Sequence, residues 1–488
     1  MSASHEGATA LIAVLDRFPD LNVWVIGDLM LDEYVVGAVD RISPEAPVPV
    51  VRVRETEQRL GGAANVARQV AALGAKVTLG GAVGVDEAGN ALLDLCRAAG
   101  IDTRAVIRRA GCRTTRKLRV LGHSQQLLRL DWEDAEACTP HEVSDLLGRL
   151  GTGAVPDAVI LSDYAKGVLT RDLIDAVTRV SGGVPVVVDP KTRNFDLYRG
   201  ATTITPNLRE LEAAAGEPLD PNDTHAIASK ARSVARAAGV PSIVVTLGER
   251  GMLVVPGEGA ESVVPAARRE VYDVTGAGDT AIAVLTLSLA AKALLVDAAR
   301  IANAAAGVSV GHVGAVAVDP SGIRNALADH PENKVLERSE LAGRCASWRL
   351  AGKRIVFTNG CFDLLHSGHL SLLSAAAAQG DVLVLAINSD ASVRRLKGPE
   401  RPLVAQAERA ALLAALSFVD AVTIFEEDTP LEALHAVRPH VLVKGQDYRP
   451  DQVVGREFVE SIGGRVALIP LVPDKSTSAL VERIRGRS

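Results

Sequence analysis

The sequence predicts an α/β protein made of two different units, the first carrying a small accessory β-sheet. Three observations predict it. Short β-branched runs alternate with helical stretches over the first three hundred residues. The composition turns polar and charged around residues 319–353. A second series of strand-like runs then begins at Arg354. A chain of 488 residues is too long for one ordinary core. No period repeats across the halves, so the pattern is a fusion of two folds and not a duplication.

The elements follow in order. Val23-Trp24-Val25-Ile26 is an apolar strand ending at Gly27-Asp28. Residues 65–73 have helical periodicity and stop at Gly74, a C-cap residue. Val77-Thr78-Leu79, Ala158-Val159-Ile160-Leu161, residues 184–188 and Ile243-Val244-Val245-Thr246 are further strands, each followed by a loop and a helical stretch. That is the rhythm of a mostly parallel sheet covered by helices. Residues 34–54, with three prolines, and residues 114–131 break the rhythm. They are expected as hairpin or edge strands of an accessory sheet that covers the site. Residues 329–334 are polar and a charged helical segment follows, so the domains are expected at 1–330 and 353–488, with a linker at 331–352. Strands of the second unit are expected at 354–357, 382–387, 421–424, 441–443 and 466–469.

Composition excludes several function classes. The net charge is −6 and aromatics are 3%, which gives neither a basic surface for nucleic acid or anionic membrane nor base-stacking platforms. The five cysteines are scattered without a CxxC pair, which argues against a disulfide framework or thiolate zinc site and fits a reducing cytoplasm. Residues 1–17 have no basic stretch followed by an apolar core, so no export signal is expected. The most apolar helical run, 281–291, is cut by Lys292 and is too short to span a bilayer.

Two phosphate-handling motifs stand about eighty residues apart. The first is Asp273-Val274-Thr275-Gly276-Ala277-Gly278-Asp279. Its small residues let the amides of Gly276, Ala277 and Gly278 converge at the start of a helical run, which makes an anion hole. Asp279 then stands where a carboxylate can take a proton from an attacking hydroxyl. The plainer reading is a glycine-rich turn with Asp279 as an N-cap. There is no GxxxxGK[ST], so this is not a P-loop.

With its neighbours, this motif resembles the PfkB/ribokinase-like sugar kinases over roughly residues 20–320. Gly61-Gly62-Ala63-Ala64-Asn65-Val66-Ala67 looks like that family's sugar-contacting motif, continued by Gly81-Ala82-Val83-Gly84-Val85-Asp86. Asn207-Leu208-Arg209-Glu210 looks like its NxxE element, and Thr246-Leu247-Gly248-Glu249-Arg250-Gly251 like a nucleotide-side turn. The resemblance implies Asp279 as catalytic base, Gly276 to Gly278 as anion hole, and Asp28 and Asn65 as ligands of sugar hydroxyls, with Asp32, Gly61 and Gly62 beside them. It implies Asn207, Glu210, Thr246 and Gly248 on the nucleotide side, with Mg²⁺ organised by Asn207 and Glu210 through water. Asn207 and Glu210 also read as an ordinary helix start after Pro206. Lys166, after a strand, is placed to reach a phosphate. Lys117, Arg119 and Arg129 on the accessory strands suit a phosphate already on the sugar, and equally a solvated basic face.

The second motif is Asn359-Gly360-Cys361-Phe362-Asp363-Leu364-Leu365-His366-Ser367-Gly368-His369. A strand ends, a tight loop follows, and two histidines at i and i+3 open a helix on one face. They can donate to oxygens at the α- and β-phosphates of a nucleotide, where in-line displacement builds charge. The HExxH spacing of zinc sites is absent. Residues 354–485 resemble the cytidylyltransferase-like nucleotidyltransferases, a Rossmann-like fold. His366 and His369 fit that family's HxGH motif, with Asn359, Gly360 and Phe362 around the nucleotide. Lys397 fits its phosphate lysine, and Ser476, Thr477 and Ser478 its later helix start. Gln446, in Lys444-Gly445-Gln446-Asp447-Tyr448, stands where a glycine is expected.

The order kinase then nucleotidyltransferase resembles the bifunctional enzymes of ADP-heptose synthesis. The resemblance implies C1 phosphorylation of a heptose 7-phosphate, then transfer of AMP from ATP to heptose 1-phosphate. Sugar phosphates and ATP are the implied partners, Mg²⁺ the cofactor, and a homodimer through the kinase domain the assembly. The alternatives are a different sugar kinase fused to a cytidylyltransferase using CTP, and a nucleotide-sensing scaffold with degenerate sites.

Overall fold

The computed structural model describes residues 10–122, 125–191, 194–266, 273–311, 316–328, 334–446, 449 and 452–470. The chain divides into two compact units, residues 11–327 and residues 328–488 with the first ten residues.

The first unit is built on a nine-stranded sheet. Its order is Ser262–Val264, Met252–Pro256, Ser242–Thr246, Thr203–Ile204, Val186–Asp189, Ala158–Ser162, Asn22–Gly27, Lys76–Gly84 and Asp102–Arg109. Seven strands run parallel, and Met252–Pro256 turns back antiparallel between its neighbours. Period-two alternation sends successive side chains to opposite faces. Val23 and Val25 join a core beneath the helices Ala63–Ala72, Ala277–Ala290 and Leu295–Ser309, while Trp24 and Ile26 join one beneath Pro140–Leu150, Arg171–Val180 and Thr224–Ala238. The helix Ala277–Ala290 is buried almost all round, which explains its lack of a polar face.

The expected accessory sheet is present, with longer strands than the sequence suggested. It has the order Pro49–Gly62, Leu29–Ile42, Thr115–Gly122 and Gln125–Trp132. Asp32 pairs with Lys117 and Arg59, and Tyr34 pairs with Arg119. Residues in register share a face, so these charged groups stand together.

The second unit is a five-stranded, all-parallel, Rossmann-like sheet. Its order is Ala421–Phe425, Val382–Asn388, Ile355–Gly360, Val441–Gly445 and Arg465–Ile469. The direction of winding reverses at Ile355–Gly360, and such sheets bind ligands at the carboxyl ends of the strands beside that point. Residues 334–352 differ from the linker expectation. Val335 bridges Val422, and the helix Arg338–Leu350 buries Leu341 and Cys345 in this unit's core. Leu341 and Cys345 are the buried positions of this helix, too short an apolar stripe for the sequence to reveal. Among the described residues no helix is long and apolar enough to cross a membrane.

Candidate active sites

A cavity of about 290 Å³ opens in the first unit. Its floor is the carboxyl ends of parallel strands, contributing Asp163, Tyr164, Asp189, Lys191, Thr205, Asn207 and Thr246. The accessory sheet contributes Asp32, Gly61, Gly62, Lys117 and Arg119. The start of the helix Ala277–Ala290 contributes Gly276, Gly278 and Asp279.

Asp279 lies in the first helical turn, after Gly276 in the left-handed conformation at φ +79°. Its carboxylate accepts from the Asn65 carboxamide and from the Tyr164 hydroxyl at 3.0 Å. Burial pushes the Asp279 carboxyl above the usual carboxylate range, against the pull of these two hydrogen bonds. Burial and the Asp279 charge together raise the Tyr164 phenol well above its ordinary value. Asn65 is itself fixed, because its carbonyl accepts from Arg68 at 2.7 Å.

Asn207 and Glu210 do two things at once. They form a capping box at the helix Leu208–Ala215, with bonds of 2.9 and 3.0 Å, and they also line the cavity. The second Glu210 oxygen accepts from Lys191 Nζ at 3.0 Å. Next to them stands Asp189, raised well above the carboxylate range by burial and then by the charges of Asp279 and Glu210. Asp189 and Lys191 escaped the sequence reading. Their signal was a carboxylate and a lysine closing a buried β-strand run, Val186-Val187-Val188-Asp189-Pro190-Lys191.

On the accessory sheet, Asp32 and Arg119 form a half-buried ion pair at 2.6 Å. Arg119 and Arg59 lie over the Tyr34 ring at 5.3 and 4.8 Å. Burial lowers the Lys117 ammonium below its usual value. A Cβ at position 61 would sit 2.5 Å from Asp32 Oδ2, so a larger residue there must displace the Asp32 carboxylate.

Five of the expected residues do not line this cavity. Asp28, expected as a sugar ligand, is buried and is not among the residues lining the cavity. Its carboxylate accepts the backbone amides of Tyr164, Lys166 and Val168 at 2.8–3.0 Å, and so shapes the 163–168 loop. Lys166 pairs with Glu133 at 2.7 Å outside the cavity. Arg129 sits one strand further out, exposed and held by Asp131. Gly248 adopts a left-handed turn at φ +62° and does not line the cavity. Ala277 is also absent from the lining, and its amide donates to the Val274 carbonyl at 3.3 Å. The structure therefore leaves Gly276 and Gly278 as the cavity-lining part of the expected anion hole.

The second site lies at the carboxyl end of Ile355–Gly360. Asn359 and Gly360 close the strand, and Lys444 Nζ donates to the Asn359 carbonyl at 3.2 Å. Phe362 turns the loop at φ +46° and meets His369 edge-on at 5.2 Å. His366 is the N-cap of the helix Ser367–Ala377, and its Nδ1 accepts from the Gly368 amide at 3.1 Å. An accepting Nδ1 puts the ring proton on Nε2, which makes that nitrogen the donor. The two imidazoles stack at 3.9 Å and 21°. They are thus brought together by a cap and a first-turn residue, a tighter arrangement than two positions on one helical face. Burial, followed by the neighbouring His366 and with a further contribution from Lys397, lowers the His369 imidazole to about 4, so it is neutral at pH 7. Lys397 is the exposed last residue of the helix Asp390–Lys397. Ser476, Thr477 and Ser478 lie outside the described residues, as do Asp447 and Tyr448.

Among the described residues no group of three His, Cys, Asp or Glu side chains is set to hold a metal unaided. Asp189 and Glu210 do supply hard oxygen donors to the first cavity. One or two carboxylates completed by substrate phosphates is the usual Mg²⁺ arrangement, so these residues fit that ion.

Residues 20–321 match the pfkB family of carbohydrate kinases, and residues 357–478 the cytidylyltransferase-like family. The Bifunctional protein HldE of Trichlorobacter lovleyi is 46% identical over 483 residues, covering 97% of this chain and 98% of its own. That of Halorhodospira halophila is 48% identical over 480 residues, covering 97% and 99%. The chain belongs to the HldE family of bifunctional proteins. Like its HldE relatives it joins a carbohydrate kinase to a nucleotidyltransferase. The ribokinase-like fold of the first unit is shared with phosphofructokinase-2 from Escherichia coli in complex with potassium, at 21% identity and a TM-score of 0.52 over 63% of this chain and 98% of that one.

Proposed function

We propose that this HldE-family chain carries both nucleotide-dependent steps of ADP-heptose synthesis. In the first unit, ATP phosphorylates C1 of D-glycero-β-D-manno-heptose 7-phosphate to the 1,7-bisphosphate. A separate phosphatase then removes the 7-phosphate. In the second unit, heptose 1-phosphate takes AMP from ATP, giving ADP-heptose and pyrophosphate.

The observation that carries the kinase reading is Asp279, a buried carboxylate with raised proton affinity at a helix N-terminus, facing a cavity lined by cations and glycine amides. Asp279 accepts the proton of the C1 hydroxyl as that oxygen attacks the γ-phosphorus. Gly276 and Gly278 amides and the Lys191 ammonium stabilise the phosphoryl oxygens. Asp32, Asn65, Lys117 and Arg119 orient the sugar phosphate. Asp189 and Glu210 would hold Mg²⁺, which when bound spreads the triphosphate charge.

In the second unit His366 and the neutral His369 donate to oxygens around the α-phosphorus as pyrophosphate leaves, with Lys397 and Ser476 to Ser478 on the outer phosphates. The five cysteines form no disulfide, in keeping with a reducing cytoplasm. Ile42, Val53 and Leu128, each more than half exposed on the accessory sheet, support a homodimer contact there.

Mass spectrometry tests the assignment. The protein is incubated with Mg²⁺ and ATP, with heptose 7-phosphate in one tube and heptose 1-phosphate in another. A bisphosphate in the first and ADP-heptose in the second are the expected products. Product with CTP alone in the second tube would overturn the adenylyl assignment, and no bisphosphate in the first would overturn the kinase substrate.

A further inference from the structure

The second unit contains a buried cation that neither motif explains. Arg409, on the helix Gln406–Ala414, has a side-chain exposure of 0%. Its guanidinium reaches two other segments of the unit, the motif loop and the stretch 388–390. It donates to the Cys361 carbonyl, inside the loop that leads into His366 and His369. It donates at 2.9 Å to the Asn388 carbonyl, at the end of the strand Val382–Asn388, and at 2.7 Å to the carboxylate of Asp390. Asp390 is the first residue of the helix whose last residue is Lys397. The fourth bond, 3.0 Å to the Val404 carbonyl, closes on its own approach.

Asp363 adds a second tie, between the motif loop and the approach to the Arg409 helix. It is buried in the motif loop, accepts the amides of Leu403 and Val404 at 2.6 and 3.2 Å, and pairs with Arg401 at 2.6 Å. Stability alone does not account for this arrangement. Burying a guanidinium costs several kcal/mol, and an apolar side chain of similar volume generally serves a core as well or better. The planar fork does what an apolar group cannot: it fixes the relative position of several backbone segments at once.

We infer that Arg409 is a positioning residue of the nucleotidyl-transfer site, holding the His366–His369 loop in register with the helix that ends in Lys397. It touches no substrate and acts through the Cys361 carbonyl and Asp390. This rests on the reading of the second unit as a nucleotidyltransferase. A displacement of one ångström in such a constellation costs on the order of 10²-fold in rate. The expected signature is a fall in kcat for AMP transfer with KM values little changed.

The test uses the full-length enzyme and three variants, Arg409→Lys, Arg409→Met and Asp390→Asn, with ATP and heptose 1-phosphate. Kinase turnover on heptose 7-phosphate reports the amount of active protein, and near-ultraviolet circular dichroism reports folding. Arg409→Met is expected to lose on the order of 10²-fold in kcat, with Arg409→Lys and Asp390→Asn between it and the parent and KM within about threefold throughout. Unchanged kcat in Asp390→Asn and in whichever Arg409 variants fold overturns the inference, as does a rise in KM with kcat retained. If neither Arg409 variant folds, Asp390→Asn decides alone. If the parent enzyme itself forms no nucleotide sugar, the reading of the site fails first and the inference with it.

Discussion

Replacing Asp279 by asparagine separates chemistry from folding in the first unit. The substitution keeps size and shape. The new carboxamide can accept from Asn65 and donate to the Tyr164 oxygen, so both hydrogen bonds of the native carboxylate have replacements. What disappears is the base. Positioned general-base catalysis contributes ~10²–10⁴-fold, or about 3–5 kcal/mol of barrier, and kinase kcat is expected to fall by that factor. Stability should move the other way. Burial outweighs the two hydrogen bonds and raises the carboxyl, so the folded state holds this proton more tightly than the unfolded chain does. For an acid raised on folding, the destabilising contribution is absent below the unfolded value and grows as pH rises through the folded one. The variant should therefore melt at the same temperature as the parent in acid and at an equal or higher temperature at pH 8. ADP release with heptose 7-phosphate measures the first effect, and thermal unfolding at two pH values the second. AMP transfer by the same molecules controls for damage. A variant that keeps more than a tenth of parental kinase kcat would refute the role of Asp279, as would loss of both activities in a folded protein.

Other consequences are equally direct. Lys191→Ala should lower kinase kcat roughly 10²-fold, because it removes a donor that faces the cavity, whereas Lys166→Ala, breaking only its pair with Glu133, should stay within about two-fold; steady-state kinetics on the pair decide whether the cavity is read correctly. Gly61→Ala should raise KM for the sugar phosphate on the order of ten-fold with a smaller change in KM for ATP, since the added methyl displaces Asp32 and its Arg119 partner. His369→Ala should abolish AMP transfer and spare the kinase. In the parent, the His369 imidazole is held at about 4 against 6.5 in the unfolded chain, so its effect on stability is nil above pH 6.5 and becomes increasingly unfavourable as pH falls toward 4. The second unit of the His369→Ala variant should accordingly lose less stability between pH 6.5 and 4 than the parent's, as followed by pH-dependent thermal unfolding.

The sequence disclosed those parts of the fold whose signals are local. Alternating apolar runs gave the strands, and glycine–carboxylate turns marked where strands end. The second motif is a strand end, a turn and a helix start, and the first a turn and a helix start, each written within about a dozen residues. What stayed hidden depended on distant chain. Nothing next to Asp28 says that the amides of residues 163–168 will cap its carboxylate, more than 130 residues on. Arg119 and Arg129 look alike in sequence and pair in register, yet one strand's width separates a cavity residue from a surface ion pair. Asp189 and Lys191 end an ordinary buried strand, and only the sheet order brings them beside Asp279. Arg409 sits on a helix without a motif, and its guanidinium is held by two segments distant in sequence, the loop at Cys361 and the stretch 388–390.

The two sites solve the problem of a polyanionic nucleotide in opposite ways. The first cavity brings Asp189, Glu210 and Asp279 together, and burial first, then the charges of Asp279 and Glu210, raise the cost of charging Asp189. Placing a triphosphate among these carboxylates is unfavourable unless positive charge enters with it, and Lys191 is already engaged by Glu210. On the proposed reading, phosphoryl transfer there uses a divalent cation that arrives with the nucleotide, while burial supplies the raised proton affinity that Asp279 requires as the base for a sugar hydroxyl. In the second site the central groups, His366 and His369, are stacked imidazoles whose mutual proximity and burial keep His369 uncharged. A neutral donor such as His369 adds no charge that must be desolvated in the resting enzyme, and its hydrogen bond strengthens as charge develops on the α-phosphate oxygens. The first site therefore depends on the protonation of one carboxylate, and the second on the geometry of two rings, which is the property that Arg409 controls.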